Sequence, residues 1–267
     1  MENWIKHARL NFDIYYSSFN ILSEDQKRNF KIKHEHSYRV SEICGQLADK
    51  LKLDPNSRNL AVTIGLFHDI GRFKQLVEFN TFNDAVSVDH AKYSVEVLQE
   101  DKFLEGFEEA EKLLVAIRHH NKLKLPEDLS GENLFFAQLI RDADKLDILK
   151  VITDYYTTCE NERNHTLTWE MPEGENVSDR VLDQILAKEQ IARENLRNQV
   201  DIKVMQLSWV FDFNFKPSLQ ILQEKGYLEM IYNTMPQNET TSQIYMKVRD
   251  YLKNPFPELM QTHFGLQ

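Results

Sequence analysis

Apolar residues recur along the chain mostly at intervals of three and four, the spacing of one face of an α-helix. Runs that alternate apolar and polar residues are few, and glycine and proline are scarce. The pattern therefore predicts an all-α fold. Helices are predicted over residues 4–19, 26–53, 88–99, 107–120, 133–157, 179–198, 204–225 and 241–252. A further helix is predicted to begin near Ser57, as its N-cap, and to stop at Gly71.

Residues 163–176, which include Pro172 and Gly174, form the predicted boundary between two parts of the chain. We expect a helical core over residues 1–160 and a C-terminal helical extension over residues 161–267. The helices of the extension are amphipathic, so we expect the extension to pack on the core. There it would cover the functional cleft and influence substrate choice.

Composition limits the class of protein. Cys44 and Cys159 are too few for a disulfide framework, and neither has a spacing typical of zinc or redox sites. The chain has no apolar run of about 18 residues and no signal-peptide pattern, which predicts a cytoplasmic protein without a membrane partner. A net charge of -10 argues against stable binding to a nucleic-acid polymer but permits a small phosphorylated substrate. Composition leaves the oligomeric state open.

Several histidines of the first half lie on predicted inward helix faces. His36 precedes Val40 by four residues, and His68 follows Ile64 by four. A single inward histidine is usually a hydrogen-bonded core residue.

An aspartate occupies another inward row, because Asp144 follows Ile140 by four residues. A buried ionised carboxylate needs a partner. A shared metal ion would satisfy inward histidines and aspartates on separate helices, and mutual hydrogen bonding without a metal is the alternative.

The segments HEHSYRV, LFHDIGR and RDADKLD, in this order, resemble the motifs of the HD superfamily of metal-dependent phosphohydrolases over residues 31–150. The resemblance implies an HD-domain helical bundle. It implies four ligands of one metal, which are His36, His68, Asp69 and Asp144. DHAKYSVEVL and AIRHHNK are similar to the histidine segments of the dinuclear branch. That similarity implies His90 and His120 as ligands of a second ion, with Asp69 bridging the two.

His120 is chosen over His119 as the ligand because it is in phase with Leu113 and Ile117 on the inner face. His119 is then a candidate for contact with the substrate. For His90 the alternative is a solvent-exposed histidine at the start of a helix.

Asp69 and His68 are the predicted catalytic residues, since a bound divalent ion would activate the attacking water. Cations close to the motifs are candidates for phosphate binding, with solvated surface charge as the alternative: Arg39, Arg72, Lys74, Arg118 and Lys145. Arg72 and Lys145 are favoured because they adjoin presumed ligands. Asp147 is predicted to accept a hydrogen bond from a ligating histidine, or to bind a third metal.

The predicted function is hydrolysis of a phosphate ester or anhydride of a small molecule, with a nucleotide as the favoured substrate. The cofactor is one or two divalent ions, chosen from Mn, Fe, Ni, Zn and Mg. HHNKLKLPEDL lacks the G-Y-P element of cyclic-di-GMP phosphodiesterases, and no synthetase domain of the alarmone-hydrolase kind is expected. Diiron oxygenases of the inositol oxygenase kind resemble the same ligand set and are the main alternative. A catalytically silent binding module is the third.

Overall fold

A computed structural model describes residues 2–20, 22–158 and 171–253. Within these ranges the chain forms α-helices and short 3-10 turns without strands, which confirms the predicted all-α class. Its contacts divide the chain into two compact units, Met1–Asp147 and Ile148–Gln267. The predicted boundary at residue 160 lies outside the described residues, as does most of the predicted loop 163–176.

The first unit contains six helices among its described residues and the N-terminal part of a seventh. They are α1 (Glu2–Ser17), α2 (Glu24–Lys50), α3 (Pro55–Phe67), α4 (Gly71–Phe79), α5 (His90–Glu100), α6 (Ala110–His119) and α7 (Gly131–Thr157). The prediction of Ser57 as the N-cap of α3 is wrong. Asp54 is the N-cap, because its side chain accepts hydrogen bonds from the backbone N–H groups of Asn56 and Ser57, and Pro55 occupies the first turn.

The predicted end of α3 at Gly71 is also wrong. The helix ends at Phe67, and Gly71 is instead the first residue of α4, a helix that the pattern does not predict. A Cβ on Gly71 would lie 2.5 Å from the backbone nitrogen of Ser94 on α5. The glycine is therefore required for the close approach of α4 to α5, where its N–H donates to Ser94 Oγ at 3.0 Å.

Replacing Gly71 with alanine is expected to lower the free energy of unfolding by about 3 kcal/mol, since a backbone contact has to move. Urea denaturation measures this change. The control is Gly45→Ala in α2, where the nearest atoms, 3.2 Å or more from the new Cβ, belong to the side chains of Val62 and Arg58. That variant should stay within about 1 kcal/mol of the wild type. Equal stability of the two variants would contradict the close-approach account.

The core of the first unit packs the end of α3 against the interior of α2. A Cβ on Gly65 of α3 would lie 2.8 Å from the Cα of Ser41, so the two helices pack backbone to backbone there. Buried aromatic rings on four different helices pack around the end of α3: Phe12, Phe30, Phe67 and Phe73. This packing holds the residues that follow Phe67 in a defined orientation.

The second unit contains the end of α7 and five further helices among its described residues. They are α8 (Asp179–Leu186), α9 (Gln199–Ser208), α10 (Lys216–Lys225), α11 (Tyr227–Asn233) and α12 (Glu239–Lys253). The predicted helix 179–198 is too long, because Lys188 takes a left-handed φ of 59° and the chain then turns Ile191 and Leu196 into the core. The predicted helix 204–225 is two helices, because α9 ends at Ser208 and α10 begins at Lys216, with Pro217 in its first turn. Among the described residues, no helix combines the length and apolar character needed to cross a membrane.

Candidate metal centre

All six predicted metal ligands come together in the first unit. Three overlapping groups of potential ligand atoms, each within 4.8 Å of one another, contain His36, His68, Asp69, His90, His120 and Asp144. Helix ends supply most of them. His68 is the C-cap of α3, His90 is the first residue of α5, and His120 is the C-cap of α6. His36 and Asp144 project from the middle of α2 and α7.

Asp69 lies between two pairs of histidines and presents one oxygen to each pair. Its Oδ2 is 3.7 Å from Nε2 of both His36 and His68. Its Oδ1 is 3.6 Å from Nε2 of His90 and 3.7 Å from Nε2 of His120. Because α3 ends at Phe67, both His68 and Asp69 can turn toward the same cluster.

Asp144 lies against one of the two histidine pairs, His36 and His68. Its Oδ1 is 3.2 Å from Nε2 of His36 and 3.6 Å from Nε2 of His68. Among the described residues, Oδ1 of Asp144 and Oδ1 of Asp69 are buried without a hydrogen bond. A carboxylate oxygen buried in this way is costly unless a cation binds it.

Backbone carbonyl groups fix the ring orientation of two of the histidines. The Nδ1 of His68 lies 2.8 Å from the carbonyl oxygen of Gly65, and the Nδ1 of His120 lies 2.7 Å from that of Ile117. A carbonyl oxygen can only accept, so in both rings Nδ1 carries the proton. In the neutral imidazole the Nε2 lone pair then points into the cluster.

Carboxylates hold the other two histidines in the same way. Nδ1 of His36 donates to Oδ2 of Asp147 at 2.7 Å, and Asp147 also receives two hydrogen bonds from Arg39. This position agrees with the prediction that Asp147 accepts from a ligating histidine. Nδ1 of His90 donates to Asp84, a contact that the sequence reasoning missed. Such partners orient a ligating imidazole and raise its basicity.

When all four imidazoles are neutral, these tautomers point the Nε2 lone pairs of each histidine pair toward each other. Nε2 of His36 is 3.2 Å from Nε2 of His68, and Nε2 of His90 is 3.1 Å from Nε2 of His120. Two neutral acceptors at such distances repel each other unless a cation lies between them. Ligands about 2.1 Å from a tetrahedral ion are about 3.4 Å apart, so these nitrogens have the spacing of ligands to a common ion.

Both carboxylates of the cluster are held in the ionised form. Burial on its own raises the pKa of Asp69, but the nearby charges, above all the ammonium group of Lys33, bring this pKa well below its usual range. Burial also raises the pKa of Asp144, but the imidazoles of His36 and His68 beside its carboxylate bring this pKa well below its usual range. An ionised carboxylate is the form that binds a metal.

Two of the imidazoles are held in the neutral form. Burial lowers the pKa of His68, and it is the main cause that lowers the pKa of His90 to about 4. His36 is different, because burial and the charge of Lys33 lower its pKa but the carboxylates of Asp144 and Asp147 beside it raise this pKa overall. The neutral imidazole is the form that binds a metal, so His68 and His90 are already in that form near neutral pH.

The predicted phosphate-binding cations have different surroundings. Arg39 binds Asp147 through two hydrogen bonds. Arg72 donates to Asp84, to Gln75 and to the carbonyl oxygen of Phe82. These two arginines thus hold the carboxylates that orient His36 and His90.

Lys145 follows Asp144 on α7 and is half-buried. His119 is half-buried and belongs to none of the groups of potential ligands among the described residues. Lys74 pairs with Glu100, and Arg118 is exposed.

The sequence reasoning also missed Lys33, whose Nζ lies 2.8 Å from Oδ2 of Asp69. Its position three residues before His36 places both side chains on one face of α2, which is the signal that could have identified it. No comparable signal marks Asp84, since it lies in the loop before α5 and reaches His90 through a turn.

The all-α unit brings four histidines and two aspartates around a shared set of ligand atoms, an arrangement compatible with a helical metal-binding domain. The model of the HD domain family matches residues 34–149, so this part of the chain is similar to a superfamily whose members are typically metal-dependent hydrolases. The match contains every residue of the cluster. No curated protein and no solved structure matches the chain significantly.

Proposed function

We propose that the protein is a metal-dependent phosphohydrolase that cleaves a phosphate ester or anhydride of a small molecule, and that the substrate is a nucleotide. The observation that carries the proposal is the division of Asp69, with one oxygen toward His36 and His68 and the other toward His90 and His120. This arrangement suits two ions that share one carboxylate, the geometry of two-metal phosphoryl transfer.

Each part of the cluster has a distinct role in this proposal. His36, His68 and Asp144 hold one ion, His90 and His120 hold the other, and Asp69 binds both. When bound, divalent ions lower the pKa of a water molecule and polarise a phosphoryl oxygen.

The charge of the site favours an anionic substrate. Asp69 and Asp144 supply two negative charges, whereas two divalent ions would bring four positive charges. Asp84 and Asp147 do not offset this excess, because Arg72 and Arg39 already pair with them. A phosphate group would therefore be attracted by the remaining positive charge.

Four side chains near the cluster are proposed to help bind the phosphate group of the substrate. Lys145 and His119 are proposed to contact the substrate, since both are half-buried and each adjoins a ligand in the sequence. Arg39 and Arg72 are proposed to contribute through their charge while they hold Asp147 and Asp84.

Metal analysis of the purified protein, followed by a phosphate-release screen, tests the proposal. The screen covers nucleotides and phosphate esters with Mn²⁺, Mg²⁺ or Ni²⁺, and we expect release that depends on the ion and is strongest with a nucleotide. Retained iron with oxygen consumption and no phosphate release would instead favour a diiron oxygenase. A folded protein that binds metal and shows neither reaction would favour a binding module.

A further inference from the structure

In the described part of the chain, Lys33 is the cation nearest to Asp69, the shared carboxylate of the cluster. Its Nζ lies 2.8 Å from Oδ2 of Asp69, the oxygen that also faces His36 and His68. An ammonium group on this oxygen occupies the same lone pairs that a metal ion would use. The two positive charges therefore compete for Asp69.

The position of Lys33 lets its ammonium group leave Asp69 without unfolding α2. The side chain of Lys33 is 21% exposed, whereas that of Asp69 is only 4% exposed, so Lys33 reaches the cluster from the solvent side. The aromatic ring of Phe82 packs beside the ammonium group, with its centroid 5.6 Å from Nζ of Lys33. A lysine ammonium on a flexible stem can rotate its donors to a new partner.

Lys33 differs from the two arginines near the cluster in the number of its partners. Arg39 forms two hydrogen bonds with Asp147, and Nη1 of Arg72 contacts three acceptors. For Lys33 the described polar contact is the single one with Asp69. Loss of that one contact would not disturb the groups that orient the histidines.

We propose that Lys33 changes partner during the reaction cycle. Its ammonium group neutralises Asp69 while the ligands hold no ion, and it binds the anionic phosphate group of the substrate once ions occupy them. The choice of phosphate as the anion rests on the proposed function. The competition with metal rests on the contact between Lys33 and Asp69 alone.

Calorimetric titration of the metal-free protein with Mn²⁺ tests the competition. Lys33→Met removes the charge and keeps most of the length of the side chain, so Mn²⁺ should bind roughly tenfold more tightly than to the wild type. The matched control is Lys31→Met, which removes the same charge from an exposed side chain of α2 that pairs only loosely with Glu35 at 3.9 Å. It should leave Mn²⁺ affinity unchanged. Unchanged or weaker binding by Lys33→Met would overturn the competition.

Titration of the Mn²⁺-loaded proteins with inorganic phosphate tests the second partner. Lys33→Met should bind phosphate roughly tenfold more weakly than the wild type, since a charge-assisted contact is lost. Equal phosphate affinity in the two proteins would refute this role. If the methionine variant does not fold, Lys33→Gln serves the same purpose, because it keeps a donor for Asp69 and lacks the charge. Neither titration requires turnover, so a negative phosphate-release screen remains a separate result.

Discussion

Asp69→Ala is expected to abolish both metal retention and turnover. Among the described residues, Asp69 is the one whose two oxygens face both histidine pairs, so its removal takes a ligand from each ion. Charge stabilisation by a bound metal is worth several kcal/mol, and each 1.4 kcal/mol or so is tenfold in rate. We therefore expect the turnover rate to fall by about 10³-fold or more. Metal analysis after dialysis and the phosphate-release assay measure the two effects.

The control for this prediction is Asp49→Ala. Asp49 lies at the end of α2 with a largely exposed side chain that pairs with Arg58, so its loss removes the same charge far from the cluster. This variant should keep the metal content and activity of the wild type. An Asp69→Ala protein that is folded and retains its full metal content would remove Asp69 from the ligand set. Circular dichroism of both variants separates loss of ligand from loss of fold.

The two glycines that follow helices illustrate how far the sequence determines the fold. Gly226 ends α10 in the left-handed conformation, with φ of 68°, as the usual role of glycine at a helix end leads one to expect. Gly71 has the same local signature but starts α4 because Ser94 of another helix lies against it. The contact with α5 therefore determines the position of Gly71 in the fold. Such a contact between distant residues cannot be predicted from the local sequence pattern. The same limit explains why α4 was not predicted.

The candidate site likewise contains residues that the local pattern predicts and residues that only tertiary contacts reveal. Helical spacing alone placed His36 and Asp144 on inward faces, since each lies four residues from an apolar residue of its own helix. The partners that orient and neutralise the cluster, Lys33 and Asp84, were missed. Lys33 reaches Asp69 from a different helix, and Asp84 reaches His90 from a loop. Contacts of this kind depend on the fold rather than on the periodicity of any one segment.

His90→Ala and His120→Ala are expected to empty one metal position and leave the other filled. These residues face Oδ1 of Asp69, whereas His36, His68 and Asp144 surround the opposite side. At saturating Mn²⁺ the wild type should hold two ions per chain and each variant one. The turnover rate should fall by about 10²-fold or more, because one of the two charges that stabilise the transition state is lost. Metal analysis under saturating Mn²⁺ and the phosphate-release assay give the two values.

His119→Ala is the matched control for metal content, because His119 precedes His120 directly and belongs to none of the groups of potential ligands among the described residues. It should bind as many ions as the wild type. A wild-type protein that holds a single ion per chain at saturating Mn²⁺ would contradict the two-ion arrangement. A His120→Ala protein with undiminished metal content would also contradict it. Nε2 of His120 lies 3.1 Å from Nε2 of His90, so both histidines belong to the metal position that this variant should lose. Loss of both ions in either variant would mean that the two positions fill only together, through their shared ligand Asp69.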